Sequence, residues 1–197
     1  MPRFLFVPYR EKEQVKALGA KWDRQENKWY IPDGISEEPF TRWLLVNTIN
    51  VRSKMYCLAK SHEICWKCGH DSPVFSFFLP VGEVTNWDEH GEYWNTFPCA
   101  MLCNVRYLPD NITSIIRHAL PQYRIDFSKT VGYPYYMNHC VKCGARSGDF
   151  FLHGELGSAF NPNECNPDEI SFLDLHEPFQ AYATWHTSSV LCELHVG

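Results

Sequence analysis

The chain contains two short segments in which paired cysteines could bind a metal ion. Cys65 and Cys68 lie in Cys-Trp-Lys-Cys-Gly, and Cys140 and Cys143 lie in Cys-Val-Lys-Cys-Gly. This spacing, followed by glycine, is typical of a zinc knuckle, a tight turn whose backbone amides point at the sulfurs while the glycine takes a positive φ. Two knuckles supply four thiolates, which fill a tetrahedral site and leave no position for a substrate. The sequence therefore predicts one structural Zn²⁺ ion bound by Cys65, Cys68, Cys140 and Cys143.

Two other uses of paired cysteines fit this sequence less well. A disulfide framework is typical of secreted chains, but the N-terminal segment is too short for a secretory signal and is broken by Pro8, and the cysteine count of 9 is odd. A redox-active pair opens a helix whose N-terminus lowers the pKa of the thiol. Four residues at this point argue against a helix: Gly69, Asp71, Ser72 and Pro73.

The remaining cysteines are expected to be free. Cys99 and Cys103 are four residues apart among apolar neighbours, a spacing that suits one face of a helix with buried thiols. We expect Cys57 and Cys192 to pack in the core. Cys165 lies in a loop rich in Pro and Asn and is expected to be exposed.

Apolar segments follow both knuckles. Residues 74–79 end in Phe-Phe-Leu, and residues 149–152 also end in Phe-Phe-Leu after a short polar turn. Aromatic residues precede each knuckle, so each copy is predicted to form a strand, a knuckle and a second strand. Two such halves make a zinc ribbon. We interpret residues 80–132 as an insertion between them, because loop closure costs only slightly more as a loop lengthens.

Residues 1–45 are predicted to form a β-α-β-β-α module. After a first strand, a helix runs over 10–18 and ends at Gly19. Two strands follow at 20–23 and 28–31, and Ser36 begins a second helix. The predicted core of the module consists of Val15, Leu18, Trp22, Trp29, Tyr30, Phe40 and Trp43.

Residues 46–197 are predicted to form the larger, zinc-ribbon-type domain. Patterning indicates a strand within 45–55, a helix over 111–120 and strands over 170–175 and 182–194. The predicted fold class is therefore α+β, with a small module followed by a mainly antiparallel β domain.

One stretch of the N-terminal module carries a family resemblance. It begins with Phe6-Val-Pro-Tyr-Arg-Glu-Lys, continues with Leu18-Gly-Ala-Lys-Trp-Asp and ends with Lys28-Trp-Tyr-Ile-Pro. It resembles a short domain of uncharacterised function from bacterial mobile-element proteins, which is often appended to plasmid primases of the TraC type. The resemblance covers about residues 3–44. It implies a plasmid or phage setting in the company of nucleic-acid enzymes, and it supplies no catalytic residue.

Charge and hydropathy narrow the possible partners. The net charge is −5, and residues 144–197 hold eight acidic side chains against one basic one. Such an excess disfavours contact with nucleic acid. No apolar run reaches the roughly eighteen residues of a membrane span, so we expect no membrane contact. Unpaired cysteines without a secretory signal fit a reducing cytoplasm.

Cations and aromatic rings nevertheless alternate in the N-terminal module, a composition that suits single-stranded nucleic acid. The candidate nucleic-acid-binding residues are Arg10, Lys12, Lys16, Lys21, Trp22, Arg24, Lys28 and Trp29. Acidic residues such as Glu11, Glu13 and Asp23 interleave with them and favour an ordinary solvated surface instead.

Motifs that would indicate catalysis are absent from the sequence. It contains no HExxH, P-loop, GxGxxG, GxSxG or zinc-deaminase pattern. We therefore predict a non-enzymatic, cytoplasmic Zn²⁺-binding factor of mobile-element type that acts by binding another protein. On this interpretation we expect weak or no binding to DNA at physiological salt. The alternative is a nucleic-acid-binding accessory protein that uses the N-terminal face.

Overall fold

The computed structural model describes residues 3–5, 7, 9–25, 28–44, 49–88, 91–162, 170–187 and 189–196. Within these residues the chain is built mostly from antiparallel β-strands, with a few short helices. The predicted α+β class, rich in antiparallel sheet, is confirmed at this level. None of the described helices is long and apolar enough to cross a membrane.

The N-terminal residues form a three-stranded sheet with one α-helix. Its elements are β1 (Arg3–Leu5), α1 (Lys12–Ala17), β2 (Lys21–Asp23) and β3 (Lys28–Ile31), with 3-10 turns at Tyr9–Glu11 and Glu38–Trp43. β3 lies between β1 and β2. The second helix predicted after Ser36 is therefore a 3-10 helix, and the Ser36 hydroxyl accepts a 3.4 Å hydrogen bond from the amide of Glu38.

Two members of the predicted core of this module lie on the surface. Leu18 and Trp22 are exposed, whereas Val15, Phe40 and Trp43 fill the interior. The reason for Leu18 is that α1 ends at Ala17, and the chain turns at Gly19, whose φ is 99°. The side chain that then reaches the core is Ala20.

An eight-stranded sheet forms the centre of the protein. Its strands, in spatial order, are β13 (Ser171–Leu175), β5 (Tyr56–Ile64), β6 (Asp71–Leu79), β9 (Ala100–Tyr107), β14 (Phe179–His186), β4 (Val51–Ser53), β7 (Gly82–Asp88) and β8 (Gly91–Phe97). Residues 80–132, predicted as an insertion, thus contribute β9 to the middle of this sheet. The boundaries 1–45 and 46–197 stay predictions.

Both faces of the large sheet are covered, as the alternation along β6 shows. Phe75, Phe77 and Leu79 point into one hydrophobic core, and Val74 and Phe78 point into another. A second three-stranded sheet and one helix cover the first face; they are β10 (Tyr123–Phe127), β11 (Pro134–His139), β12 (Arg146–Ser147) and α2 (Asp110–Ala119). Side chains of α3 (Asp149–His153) and α4 (Ser189–Val196) join the second core.

The second Phe-Phe-Leu segment is helical, so its prediction as a strand was wrong. It forms α3, in which Phe150 and Phe151 are exposed and Leu152 is buried. The carboxylate of Asp149 accepts a 2.6 Å hydrogen bond from the backbone amide of Asn104 in β9, which holds the start of this helix against the large sheet.

Two further strand predictions need correction. The strand predicted over 182–194 is β14 followed by α4, with the change of structure after His186. Of the strand predicted within 45–55, the structure contains β4, and residues 45–48 lie outside the described part.

Cys99 and Cys192 form a disulfide, so the prediction that both are free thiols was wrong. The bond ties α4 to the start of β9. Cys103 lies on strand β9 and not on a helix, and it is half-buried. Cys57 is buried as predicted, and its thiol donates to the carboxylate of Asp174 at 3.0 Å. Cys165 lies outside the described residues.

Candidate metal centre

The two knuckles have the same backbone geometry. The first connects β5 to β6 and the second connects β11 to β12. In each, the amide of the first cysteine donates to the carbonyl five residues later, at 2.9 Å for Cys65 and 2.8 Å for Cys140. The amides of Gly69 and Gly144 donate back to the carbonyls of these cysteines at 2.9 Å. Both glycines have a positive φ, 66° and 68°.

The fold brings the four knuckle sulfurs into one cluster. All four Sγ atoms lie within 4.8 Å of one another. The Sγ atoms of Cys65 and Cys143 are 3.7 Å apart, and so are those of Cys68 and Cys140. A tetrahedron with metal–sulfur bonds of about 2.3 Å has edges of about 3.8 Å. The cluster is therefore compatible with a metal ion at its centre.

Four thiolates this close together repel one another unless a cation lies between them. The backbone amides of Cys143 and Lys142 lower the pKa of the Cys140 thiol to about 6. The amide of His70 lowers the pKa of Cys68, but burial and the three neighbouring thiols outweigh it and raise that pKa to about 12. Four adjacent sulfurs cannot all be anionic in the absence of a positive charge. A divalent ion would remove this conflict.

Contacts between the knuckles supplement the sulfur cluster. The indole Nε1 of Trp66, in the first knuckle, donates to the carbonyl of Arg146 just after the second knuckle, at 2.9 Å. The amide of Val141, in the second knuckle, donates to the hydroxyl of Ser72 at the start of β6, at 3.0 Å. The protein itself therefore fixes the position of one knuckle relative to the other.

Two of the histidines near the knuckles contact other groups. The Nε2 of His139 lies 3.1 Å from the carboxylate of Asp126, and its Nδ1 contacts the carbonyls of Gln122 and Met137. His62 lies 3.2 Å from the carboxylate of Asp71. Among the described residues, the four cysteines are the only group of three or more His, Cys, Asp or Glu side chains whose ligand atoms lie this close together.

Large apolar side chains are exposed on the knuckles. Ile64 precedes the first knuckle, and Trp66 and Val141 occupy equivalent positions within the two; their exposures are 61%, 75% and 51%. Phe150 and Phe151 extend from α3, a few residues after the second knuckle, and both are also exposed. Exposed apolar side chains concentrated in this way are characteristic of contact surfaces.

The structure brings together some of the candidate nucleic-acid-binding residues and separates others. Trp22 and Trp29 are paired across β2 and β3, with ring centroids 5.6 Å apart, and line a cavity together with Lys12. Lys21 and Lys28 are adjacent to these tryptophans along the strands, so the pleat directs them to the opposite face. The other candidates, Arg10, Lys16 and Arg24, are exposed but do not line the cavity.

Tyr9 and Phe127 complete the aromatic lining of this cavity, and the sequence interpretation missed both. Tyr9 precedes Arg10 and could have been included in the aromatic pattern of the module. Phe127 lies more than a hundred residues away on β10, so only the tertiary fold brings it to the cavity.

Comparison with known proteins supports the N-terminal resemblance. Residues 3–44 match a family described as "Domain of unknown function (DUF5710)". A protein named "DNA primase TraC" from Escherichia coli is 32% identical over 120 residues, which cover 55% of this chain and 11% of that protein. Another protein of the same name and organism is 49% identical over 41 residues, covering 21% of this chain and 3% of that protein. The resemblance predicted from the sequence is confirmed.

The matches cover only a small part of each relative, but one of them extends beyond the N-terminal domain of this chain. The chain spans 11% and 3% of the length of these two relatives, so it corresponds to a small part of each. The match that covers 55% of the chain reaches beyond the family domain, which ends at residue 44. No solved structure matches the chain.

Proposed function

We propose that the chain is a zinc-binding, non-enzymatic factor of a bacterial mobile element, and that it acts in the cytoplasm by binding another protein. The observation that carries this proposal is the cluster of four knuckle thiols. Zn²⁺ is the ion that best suits four thiolates in a tetrahedral arrangement. Because four protein ligands complete that shell, the ion would organise the fold and would not activate a substrate.

The same cluster supports the assignment of residues 46–197 to the zinc-ribbon type. Antiparallel strands enter and leave the first knuckle, and β11 and β12 do the same for the second. Strand pairs that meet at a shared tetrahedral ion form a zinc ribbon, and we assign this part of the chain to that type. Its second half is shorter than predicted, because β12 contains only Arg146 and Ser147.

The setting and the mode of action are inferred from the relatives and from the knuckle surface. The matched proteins are named as primases, and TraC-type primases are plasmid-borne, so we place the chain in a plasmid or related mobile element. The reduced knuckle thiols fit the cytoplasm, whereas the Cys99–Cys192 disulfide is of a kind that a reducing cytoplasm disfavours. The exposed Ile64, Trp66 and Val141 supply an apolar contact surface that the ion would hold rigid.

The metal can be tested on the purified chain. We expect one zinc per chain by elemental analysis, and loss of the ion together with a lower thermal transition after chelation. Cys68→Ser should reproduce the effect of chelation, whereas Cys103→Ser, which changes a thiol outside the cluster, should retain the zinc. A chain that keeps the same thermal transition after complete removal of metal would contradict the proposal.

The protein contact can be tested with a photoreactive residue at position 66 in a host that carries the mobile element. We expect a cross-link to one defined protein, and none from position 93, where Tyr93 is also exposed but lies on β8. Equal cross-linking from both positions would exclude the knuckles as the contact surface.

A second candidate function is supported by a separate observation. Lys12, Trp22 and Trp29, all selected as candidate nucleic-acid-binding residues, line one cavity. A nucleic-acid-binding accessory role would use this N-terminal surface and not the knuckles.

A further inference from the structure

The N-terminal module meets the β10–β11 hairpin along a seam. The rings of Tyr9 and Phe127 contact each other across it, with centroids 5.3 Å apart. Two cavities, of about 250 Å³ and about 230 Å³, lie along this seam and share Ile125 in their walls. Together these two cavities are called the seam groove.

The larger cavity has an aromatic lining with a cation at its edge. Its walls include the rings of Tyr9, Trp22, Trp29 and Phe127. Trp22 is 44% exposed and Tyr9 is 58% exposed, so both rings remain accessible. The ammonium group of Lys12 lies 4.0 Å from the centroid of the Tyr9 ring. The cavity is smaller than the roughly 300–1,000 Å³ of typical ligand pockets, so it suits a single planar group.

The smaller cavity carries two cationic side chains among apolar and aromatic ones. Arg117 of α2, Arg124 of β10 and Gln25 of the β2–β3 turn contribute to its walls. Both arginines are exposed. The described residues that line this cavity include no acidic side chain. A cavity with an aromatic lining therefore adjoins a cavity whose two arginines suit an anion.

Two acidic groups near the groove are engaged by other residues. Asp126, which lines the larger cavity, lies 3.1 Å from Nε2 of His139 and 3.4 Å from the guanidinium of Arg146. The carboxylate of Glu11 accepts a 2.8 Å hydrogen bond from the indole of Trp43. The net negative charge of the chain therefore does not describe the local field at the groove.

We infer that the seam groove binds single-stranded nucleic acid. An unpaired base stacks on the rings of Trp22 and Tyr9, and neighbouring backbone phosphates contact Arg117 and Arg124. The strand must be single because a base within a duplex is stacked on its neighbours and cannot enter the aromatic cavity. This inference rests on the second candidate function; it does not depend on the knuckle contact.

The test measures binding of a fluorescent oligothymidylate to the intact, zinc-loaded chain at low and rising salt. We expect Trp22→Ala to weaken binding about tenfold to a hundredfold, because stacking on an aromatic side chain contributes that much per base. Trp22→Phe, which restores a ring, should recover most of the affinity. Arg117→Gln should make the logarithmic salt dependence shallower by about 0.7 per lost phosphate contact.

Matched controls lie outside the groove. Tyr93→Ala removes another exposed aromatic ring and Lys54→Gln removes another exposed cation, and both should bind like the unchanged chain. Should Trp22→Ala fail to fold, Tyr9→Ala tests the same stacking site. Absence of binding at low salt, equal affinity for a duplex, or a loss in Tyr93→Ala equal to that in Trp22→Ala would each overturn the inference. Zinc content and cross-linking from position 66 report separately on the proposed function.

Discussion

The backbone amide of Val141 donates a 3.0 Å hydrogen bond to the hydroxyl of Ser72, and Ser72 is buried. These residues belong to different knuckle regions, 69 positions apart in the chain. The bond holds the second knuckle against the strand that leaves the first. It therefore fixes part of the metal geometry before any ion is bound, which reduces the ordering that metal binding must impose.

Ser72→Ala should lower the stability of the metal-loaded chain by about 1–3 kcal/mol and weaken its metal affinity, because the Val141 amide loses its partner. Ser61 offers a matched control: it is also buried on β5, and its hydroxyl has no hydrogen-bond partner among the described residues. Ser61→Ala should be neutral or stabilising. Thermal denaturation and competition with a chelator measure both effects, and equal losses in the two variants would contradict this role of Ser72.

The stabilities of variants at Gly69 should follow how well the new residue tolerates a positive φ. A Cβ at Gly69 would have no heavy atom within 4 Å, so the cost comes from the backbone conformation and not from a clash. We expect Gly69→Ala to destabilise the chain by about 1–2 kcal/mol, Gly69→Asn by less and Gly69→Val by more. Denaturant titration of the three zinc-loaded variants tests the order, and equal stabilities would refute the conformational argument.

Asp149 should make stability decrease as pH rises through the acid range. Burial raises the pKa of this carboxyl to about 7. The hydrogen bond from the Asn104 amide lowers the pKa but offsets only part of this effect. Between about pH 4 and 7 the folded chain therefore keeps a proton that the unfolded chain has lost. The contribution to the free energy of unfolding falls by up to about 1.4 kcal/mol per pH unit.

The measurement compares the pH dependence of stability in the unchanged chain and in Asp149→Asn. A comparison is needed because the buried His153 and the nearby His186 act in the opposite direction: burial lowers their pKa values, so their contribution increases as pH rises. As pH rises from 4 to 7, the unchanged chain should lose stability relative to Asp149→Asn. Parallel profiles would show that Asp149 does not titrate in this range.

Removal of the Cys99–Cys192 disulfide should destabilise the chain by about 2–5 kcal/mol. Cys192→Ser and treatment with a reductant should have the same effect, and the reductant should not destabilise Cys192→Ser further. Hydrogen exchange should show the greatest loss of protection in α4, which the bond ties to β9. Alkylation of both cysteines without prior reduction would show that the bond does not form.

The features that could be predicted from the sequence are those decided within a few residues. The helix that stops shortly before Gly19, the strands β2 and β3, and the knuckle turns depend on local spacing and on glycines with positive φ. The confirmed N-terminal resemblance is of the same kind, since it depends on a continuous stretch of sequence.

The wrong predictions concern features decided by distant residues. A short apolar run such as 150–152 is ambiguous between strand and helix. Here the contact between Asp149 and Asn104, 45 positions apart, accompanies the helix. Likewise, Cys99 and Cys192 are 93 positions apart, and no spacing rule predicts their pairing. Trp22 was placed in the core because it is aromatic, but the pleat of an edge strand directs it to the seam.

With an ion bound, the metal centre and the disulfide would form interlocked cross-links, because their anchor points alternate along the chain. The first knuckle is followed by Cys99, then by the second knuckle and then by Cys192. Apart from the pairing of strands, a single proteolytic cut between Cys68 and Cys99 would leave two fragments cross-linked by the ion alone, and a cut between Cys143 and Cys192 would leave them cross-linked by the disulfide alone. A cut between Cys99 and Cys140 would leave them joined by both. Nicked protein should therefore run at full size on a gel-filtration column. Separation of its fragments in a denaturant that disrupts the sheet should require the chelator, the reductant or both, according to where the chain was cut.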